Sequence, residues 1–183
     1  MLEFPKPYAD AVARLRVPSG FLIVVVFAWL SHPTRESLAW GLPVAVVGLA
    51  LRAWAAGCLA KNQQLATGGP YAHMRNPLYI GTLLVAAGLV IAARNLWLAI
   101  LFAAVFLFVY LPVIQLEEQH LRRLFPEYAE YAREVPALIP RISAYRREKS
   151  TPFRVSQYVR NQEYQAGMGF AAGMLFLLWR LAR

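Results

Sequence analysis

The chain has 183 residues, of which 58% are hydrophobic and only 16% charged. Ordinary soluble domains run near ~45–50% apolar and ~25% charged, so this composition excludes a disordered chain and points to one integral membrane domain with short polar links. The net charge of +9 comes from basic residues lying mostly between apolar runs, which suits the anionic headgroups of a bilayer rather than nucleic acid.

Five apolar segments are candidates for spans of about 20 helical residues. The first covers residues 17–31, with Pro18 fitting the first turn of a helix. A cleaved signal peptide is the competing reading, but Ala28, Trp29 and Leu30 do not form a small-x-small site, so the segment is read as a permanent span. The second, residues 38–60, contains Arg52, whose charge must face protein or reach the interface. It also contains Cys58, the one cysteine, which reads as a small buried hydrophobe and excludes an internal disulfide. The third and fourth, residues 78–93 and 96–116, are separated only by Arg94 and Asn95, which predicts an antiparallel helical hairpin. The third is short for a full span, and Pro112 should kink the fourth near its end. The fifth, residues 166–182, carries Gly169 and Gly173 at a spacing that favours close helix packing.

Polar links complete the layout. Residues 121–131 have an amphipathic pattern and should form a helix on the membrane surface. Residues 143–165 form a basic interfacial linker with Tyr145, Phe153 and Tyr158 among its cations. Fourteen Lys and Arg residues fall on the N-terminal side of the membrane and four on the other, so the N-terminus should be cytoplasmic. Five spans then put the C-terminus outside; a last helix lying flat keeps it inside. The expectation is an all-α, multi-pass bundle of about five spans with a cytoplasmic amphipathic segment.

Chemistry concentrates in two places. In the link at residues 68–81, Pro77 starts a helix, so Arg75 and Asn76 are held at its N-terminus, where free N–H groups favour an anion. A positive loop with an Asn cap is the plainer reading. At the end of the fourth segment stand Glu117 and Glu118, about 100° apart around the helix. Glu118 has i,i+4 spacing to Arg122 and can form a surface pair, leaving Glu117 to face a cationic ligand. His32, His73 and His120 have no metal-ligand spacing, and neither a P-loop nor a nucleophile elbow is present. No metal is expected, and His73 and His120 read as interfacial polar residues.

Gly69-Pro70-Tyr71, then Arg75-Asn76-Pro77-Leu78-Tyr79-Ile80-Gly81, a helical hairpin, Glu117-Glu118, Phe125, Tyr128-Ala129-Glu130-Tyr131, Val135-Pro136 and Pro140 follow one another in a recognisable order. This series, over roughly residues 50–142, resembles the isoprenylcysteine carboxyl methyltransferase family, in the same broad group as the phospholipid methyltransferases. The resemblance implies an enzyme embedded in the membrane that uses S-adenosylmethionine to methylate a lipophilic acceptor, either a carboxylate like that of prenylcysteine or a lipid amine. It makes Arg75, Asn76, Pro77, Tyr79, Gly81, Glu117 and Glu118 candidate cofactor contacts, with Arg75 and Glu117 as the catalytic candidates. Tyr128, Tyr131, Val135, Pro136 and Pro140 would close over the cofactor. Arg75 would pair with its carboxylate and a glutamate with its ammonium. Asn76 stands where prenylcysteine enzymes carry His, and Glu134 where they carry Arg. A non-catalytic membrane scaffold that keeps the fold is the main alternative, and a small transporter is a third.

Overall fold

The computed structural model describes residues 4–145 and 152–183, so Arg146, Arg147 and Lys149 of the basic linker lie outside the described residues. The described chain is all-helical. Its elements are α1 (Lys6–Leu30), α2 (Arg35–Cys58), α3 (Pro77–Ala93), α4 (Leu96–Leu124), and the short α5 (Tyr128–Glu134) and α6 (Val155–Arg160), followed by α7 (Tyr164–Ala182). By length and composition α2, α4 and α7 can each cross a bilayer, and α1 makes a fourth candidate as a bent pair. The 17 residues of α3 extend only about 26 Å at 1.5 Å per residue. The third apolar segment is therefore shorter than the ~30 Å hydrocarbon core.

Several helix ends obey local rules. Thr34 and Ser37 close a reciprocal capping box that starts α2 before the apolar run begins. Arg94 adopts the left-handed conformation (φ 53°) that ends α3, and Asn95 caps α4 by accepting from the amides of Trp97 and Leu98. The predicted tight hairpin therefore forms. Prolines reshape the long helices. α1 begins at Lys6, so Pro18 lies inside it rather than in its first turn, and the halves Lys6–Leu15 and Pro18–Leu30 meet at 56°. In α4 the distortion precedes Pro112: a π-turn occupies Phe106–Tyr110. Pro112 has no N–H for the Phe108 carbonyl, and Tyr8 Oη of α1 donates to that carbonyl at 2.7 Å instead.

The tightest packing is between α2 and α3, which run antiparallel. Gly41 and Gly48 lie two turns apart on α2, and Gly81 and Gly88 lie two turns apart on α3. A Cβ on Gly88 would stand 2.5 Å from the Gly41 carbonyl, and one on Gly48 would stand 2.7 Å from the Gly81 carbonyl. Backbone therefore meets backbone along this seam, the arrangement small residues allow in a membrane. The spacing at Gly169 and Gly173 does not act this way. Nothing lies within 4 Å of a Cβ on Gly167 or Gly169, and Gly173 meets only the Leu89 side chain, because α7 touches the bundle along a different stripe.

That stripe belongs to a core at one end of the bundle, where Leu177 packs with Phe27, Leu38, Ala92 and Leu98. Arg180 Nη1 donates to the Ala28 carbonyl at 2.9 Å, and Asn95 Nδ2 to the Leu30 carbonyl at 2.8 Å. Exposed Trp29, Trp40, Trp97 and Trp179 surround this end, as aromatic side chains do at a membrane–water boundary. The polar links gather at the opposite end.

Candidate functional site

Between α2 and α3 the chain makes a polar turn at residues 59–68 and a 3₁₀ turn at Gly69–Ala72. Gly69 sits at φ +56°, and a Cβ there would approach Cys58 Sγ to 2.7 Å, so this position needs glycine. The next residues run beside the strip that follows α5. The amides of Arg75 and Asn76 donate to the carbonyls of Pro136 (2.9 Å) and Ala137 (3.2 Å), and that of Arg141 donates to His73 (2.9 Å). Prolines keep this strip extended while their carbonyls still accept. The expected continuous helix over residues 121–131 is instead broken after Leu124, because Pro126 disfavours helix at Phe125. The break lets α5 fold back and bury Tyr128 and Tyr131 with Leu65 and Val135.

The Arg-Asn-Pro turn and the two glutamates meet. Arg75 Nε lies 3.0 Å from Glu118 Oε1, and Nη2 lies 3.3 Å from Oε2, while Nη1 donates to the Ala132 carbonyl at 2.8 Å. Asn76 Nδ2 donates to Glu118 Oε1 (3.2 Å) and to the Ala137 carbonyl (3.1 Å), so its side chain is not a helix cap. Glu118 is therefore a buried knot joining α3, α4 and α5, not half of a surface pair with Arg122. Arg122 instead lies over the Tyr128 ring at 5.4 Å. Glu117, one position earlier and about 100° around the helix, is exposed and accepts a hydrogen bond from Tyr79 Oη at 2.8 Å.

Beside this knot is a cavity of about 400 Å³. Arg75, Asn76, Pro77, Tyr79, Glu117, Tyr128 and Tyr131 line it. Gly81, Glu118, Val135, Pro136 and Pro140 do not. Gly81 packs against Arg52 and the backbone of Gly48, and Glu118 stands behind Arg75 and Asn76. Val135 is in the Tyr128–Tyr131 core, and the carbonyl of Pro136 anchors Arg75. The guanidinium fork expected to meet a ligand carboxylate faces Glu118 here, through Nε and Nη2, while Arg75 also lines the cavity. Lys61, Asn62, Gln64 and His120 also line the cavity. Their only sequence signal is a polar run directly after an apolar helix and, for His120, a place one turn beyond Glu117.

Tyrosines close the inner wall. Tyr131 Oη donates to the Tyr71 carbonyl at 2.7 Å, and Tyr128 Oη is buried against Glu118 without closing a well-formed hydrogen bond. Burial pushes the phenols of Tyr71, Tyr128 and Tyr131 well above the ordinary value, and the nearby acids Glu117 (for Tyr71) and Glu118 (for Tyr128 and Tyr131) push the same way. The folded state holds these protons more tightly than the unfolded chain. Their stabilisation is thus complete below the unfolded tyrosine value of about 10 and is lost as pH climbs from there toward the raised folded values. Thermal melting of the detergent-solubilised protein should be flat in this contribution up to about pH 10 and fall above it. Tyr128→Phe should soften the fall with little change at neutral pH; an equally steep loss in the variant would refute this origin.

Residues 41–128 match the phospholipid methyltransferase family. The chain is 41% identical over 135 residues to the cobalt-zinc-cadmium resistance protein CzcN of Cupriavidus metallidurans, covering 73% of this chain and 61% of that protein. It is 35% identical to the nickel-cobalt-cadmium resistance protein NccN of Alcaligenes xylosoxydans xylosoxydans, covering 73% and 62%. It is 29% identical over 148 residues to a protein-S-isoprenylcysteine O-methyltransferase of Schizosaccharomyces pombe, covering 78% and 62%. The chain thus spans about three-fifths of the length of these curated relatives. No solved structure matches it. The match runs from the glycine seam of α2 through the Arg-Asn-Pro turn and the paired glutamates to Tyr128, so the residues similar to the phospholipid methyltransferase family include most of those that line the cavity.

Proposed function

We propose that the chain binds S-adenosylmethionine in the cavity beside Glu117 and methylates a lipophilic acceptor drawn from the bilayer. The convergence of the Arg-Asn-Pro turn and the tandem glutamates on one cavity carries this reading. The donor set suits the cofactor. Glu117 is an exposed carboxylate for an ammonium or sulfonium, and Lys61 is a cation for a carboxylate. Leu65, Leu121 and Phe125 offer an apolar wall for a flat base, and ~400 Å³ falls within the usual range of small-molecule sites. Bound S-adenosylmethionine supplies an electrophilic methyl group on a sulfonium.

The chain's own residues then orient and desolvate. Tyr79 fixes the rotamer of Glu117, and the Arg75–Glu118 knot fixes the loop that carries both Asn76 and the first turn of α3. A carboxylate acceptor needs no general base, whereas an amine must release a proton, for which Glu117 and His120 are the cavity-lining acceptors. Alignment of donor and acceptor in a pocket with apolar walls does the rest. Asn76, which replaces the His of prenylcysteine enzymes, spends its side chain on Glu118 and Ala137, so this departure acts on the scaffold. Glu134 is exposed and bonds Arg141 through its carbonyl, outside the cavity. The excess of Lys and Arg in the polar links over the other side supports a cytoplasmic face for the site.

Two relatives are named for metal resistance. Among the described residues no three His, Cys, Asp or Glu side chains converge as a metal site, and direct metal binding forms no part of this proposal. A transporter would place its polar groups at mid-membrane in broken helices, but these lie at one end of the bundle.

Calorimetry with S-adenosylhomocysteine on the full chain in detergent tests the reading. The protein should bind, and Glu117→Gln should weaken binding by about 10-fold or more while melting like the parent, since a hydrogen bond to a charged group is worth ~1.5–3 kcal/mol. A folded protein that does not bind refutes the proposal. Binding without transfer of labelled methyl to extracted lipids would favour the non-catalytic scaffold.

A further inference from the structure

Arg52, partly exposed, and the buried Glu163 form a second ion pair outside the cavity. Arg52 Nε donates to Glu163 Oε1 at 2.6 Å and Nη2 donates to Oε2 at 2.9 Å, a two-point contact. Arg52 Nη1 also donates to Thr82 Oγ1 and to the Leu78 carbonyl, and Thr82 Oγ1 donates to the same carbonyl at 2.9 Å. Leu78 lines the cavity, and the next residue, Tyr79, holds Glu117. Gly81 leaves room for this reach, because a Cβ there would stand 2.5 Å from Arg52 Cγ. Glu163 is delivered by a tight turn in which Asn161 Nδ2 donates to the carbonyls of Ala56 and Leu59, sealing the end of α2, and Gln162 takes a positive φ. This turn lies beyond the family-matched residues 41–128.

A charged residue within a membrane-span candidate, as Arg52 is in α2, is costly to retain and is by default suspected of function, and its partner Glu163 comes from the turn before α7. We propose that Arg52 and Glu163 are positioning residues of the methyl-donor site: they clamp the first turn of α3 from behind and make the turn before α7 part of the working unit. The chain of contact runs from Glu163 through Arg52 to Leu78, and from Tyr79 to Glu117. The inference rests on the methyl-donor reading above.

Calorimetry with S-adenosylhomocysteine and thermal melting, both in detergent on the full chain, separate the clamp from a merely structural pair. The double variant Arg52→Met with Glu163→Met removes both charges at similar volume, an exchange buried pairs commonly tolerate. It should melt within a few degrees of the parent yet bind about 10-fold more weakly, and Glu163→Gln alone should weaken binding at least as much. Parent-like affinity in the folded double variant overturns the clamp while leaving the donor site standing. Failure of the parent itself to bind overturns the donor site and the clamp with it. If the double variant does not fold, Thr82→Val removes one tether and keeps the pair. About threefold weaker binding supports the clamp, and unchanged affinity overturns it.

Discussion

Replacing Glu118 by alanine should destabilise the protein by about 3–5 kcal/mol, the usual result of removing one partner from a buried ion pair. Arg75 would be left buried with its fork unpaired, and Asn76 would lose one of its two acceptors. The knot joins α3, α4 and the strip after α5, so the damage should spread to the cavity wall. The expected observation is little folded, monodisperse protein after extraction, with a much lower melting temperature in what survives. Glu117→Gln should behave oppositely, keeping the fold and losing ligand affinity, because Glu117 is exposed and bonded only at the cavity edge. Equal stability losses at the two adjacent positions would contradict this division of labour.

The second large effect is expected at the α2–α3 seam. Gly88→Val would drive a branched side chain into the Gly41 carbonyl and the Ala45 amide, both 2.5 Å from the first added carbon. Both neighbours are helix backbone, so neither can yield without separating the helices. A loss above ~4 kcal/mol, seen as failure to recover monodisperse protein, is the expected result. Gly169→Val has no neighbour to meet and should stay within ~0.5 kcal/mol of the parent. A tolerated Gly88→Val would mean that the seam is not packed as described.

Apolar length, proline and the order of motifs act locally, and that is why so much was legible before the structure. Helix type, the Arg94–Asn95 hairpin, the need for Arg52 to face protein and the meeting of residues 75–77 with 117–118 all follow from patterns within one segment or from the family resemblance. Misreadings arose where a local pattern competed with a distant partner. Glu118 has Arg122 at helical spacing, yet the buried guanidinium of Arg75 wins because a desolvated charge needs its counter-charge more than an exposed one does. Gly169 and Gly173 have the spacing of a packing motif, but Gly41, Gly48, Gly81 and Gly88 do the packing, seven residues apart. Composition, periodicity and helix-end chemistry thus determine that this chain is an all-helical membrane protein and where its polar groups gather. Which carboxylate is structural and which is open, and that Glu163 reaches back 111 residues to Arg52, was decided only when the helices came together. Pairing of charges in a low-dielectric interior depends on three-dimensional proximity, and spacing along one helix does not record it.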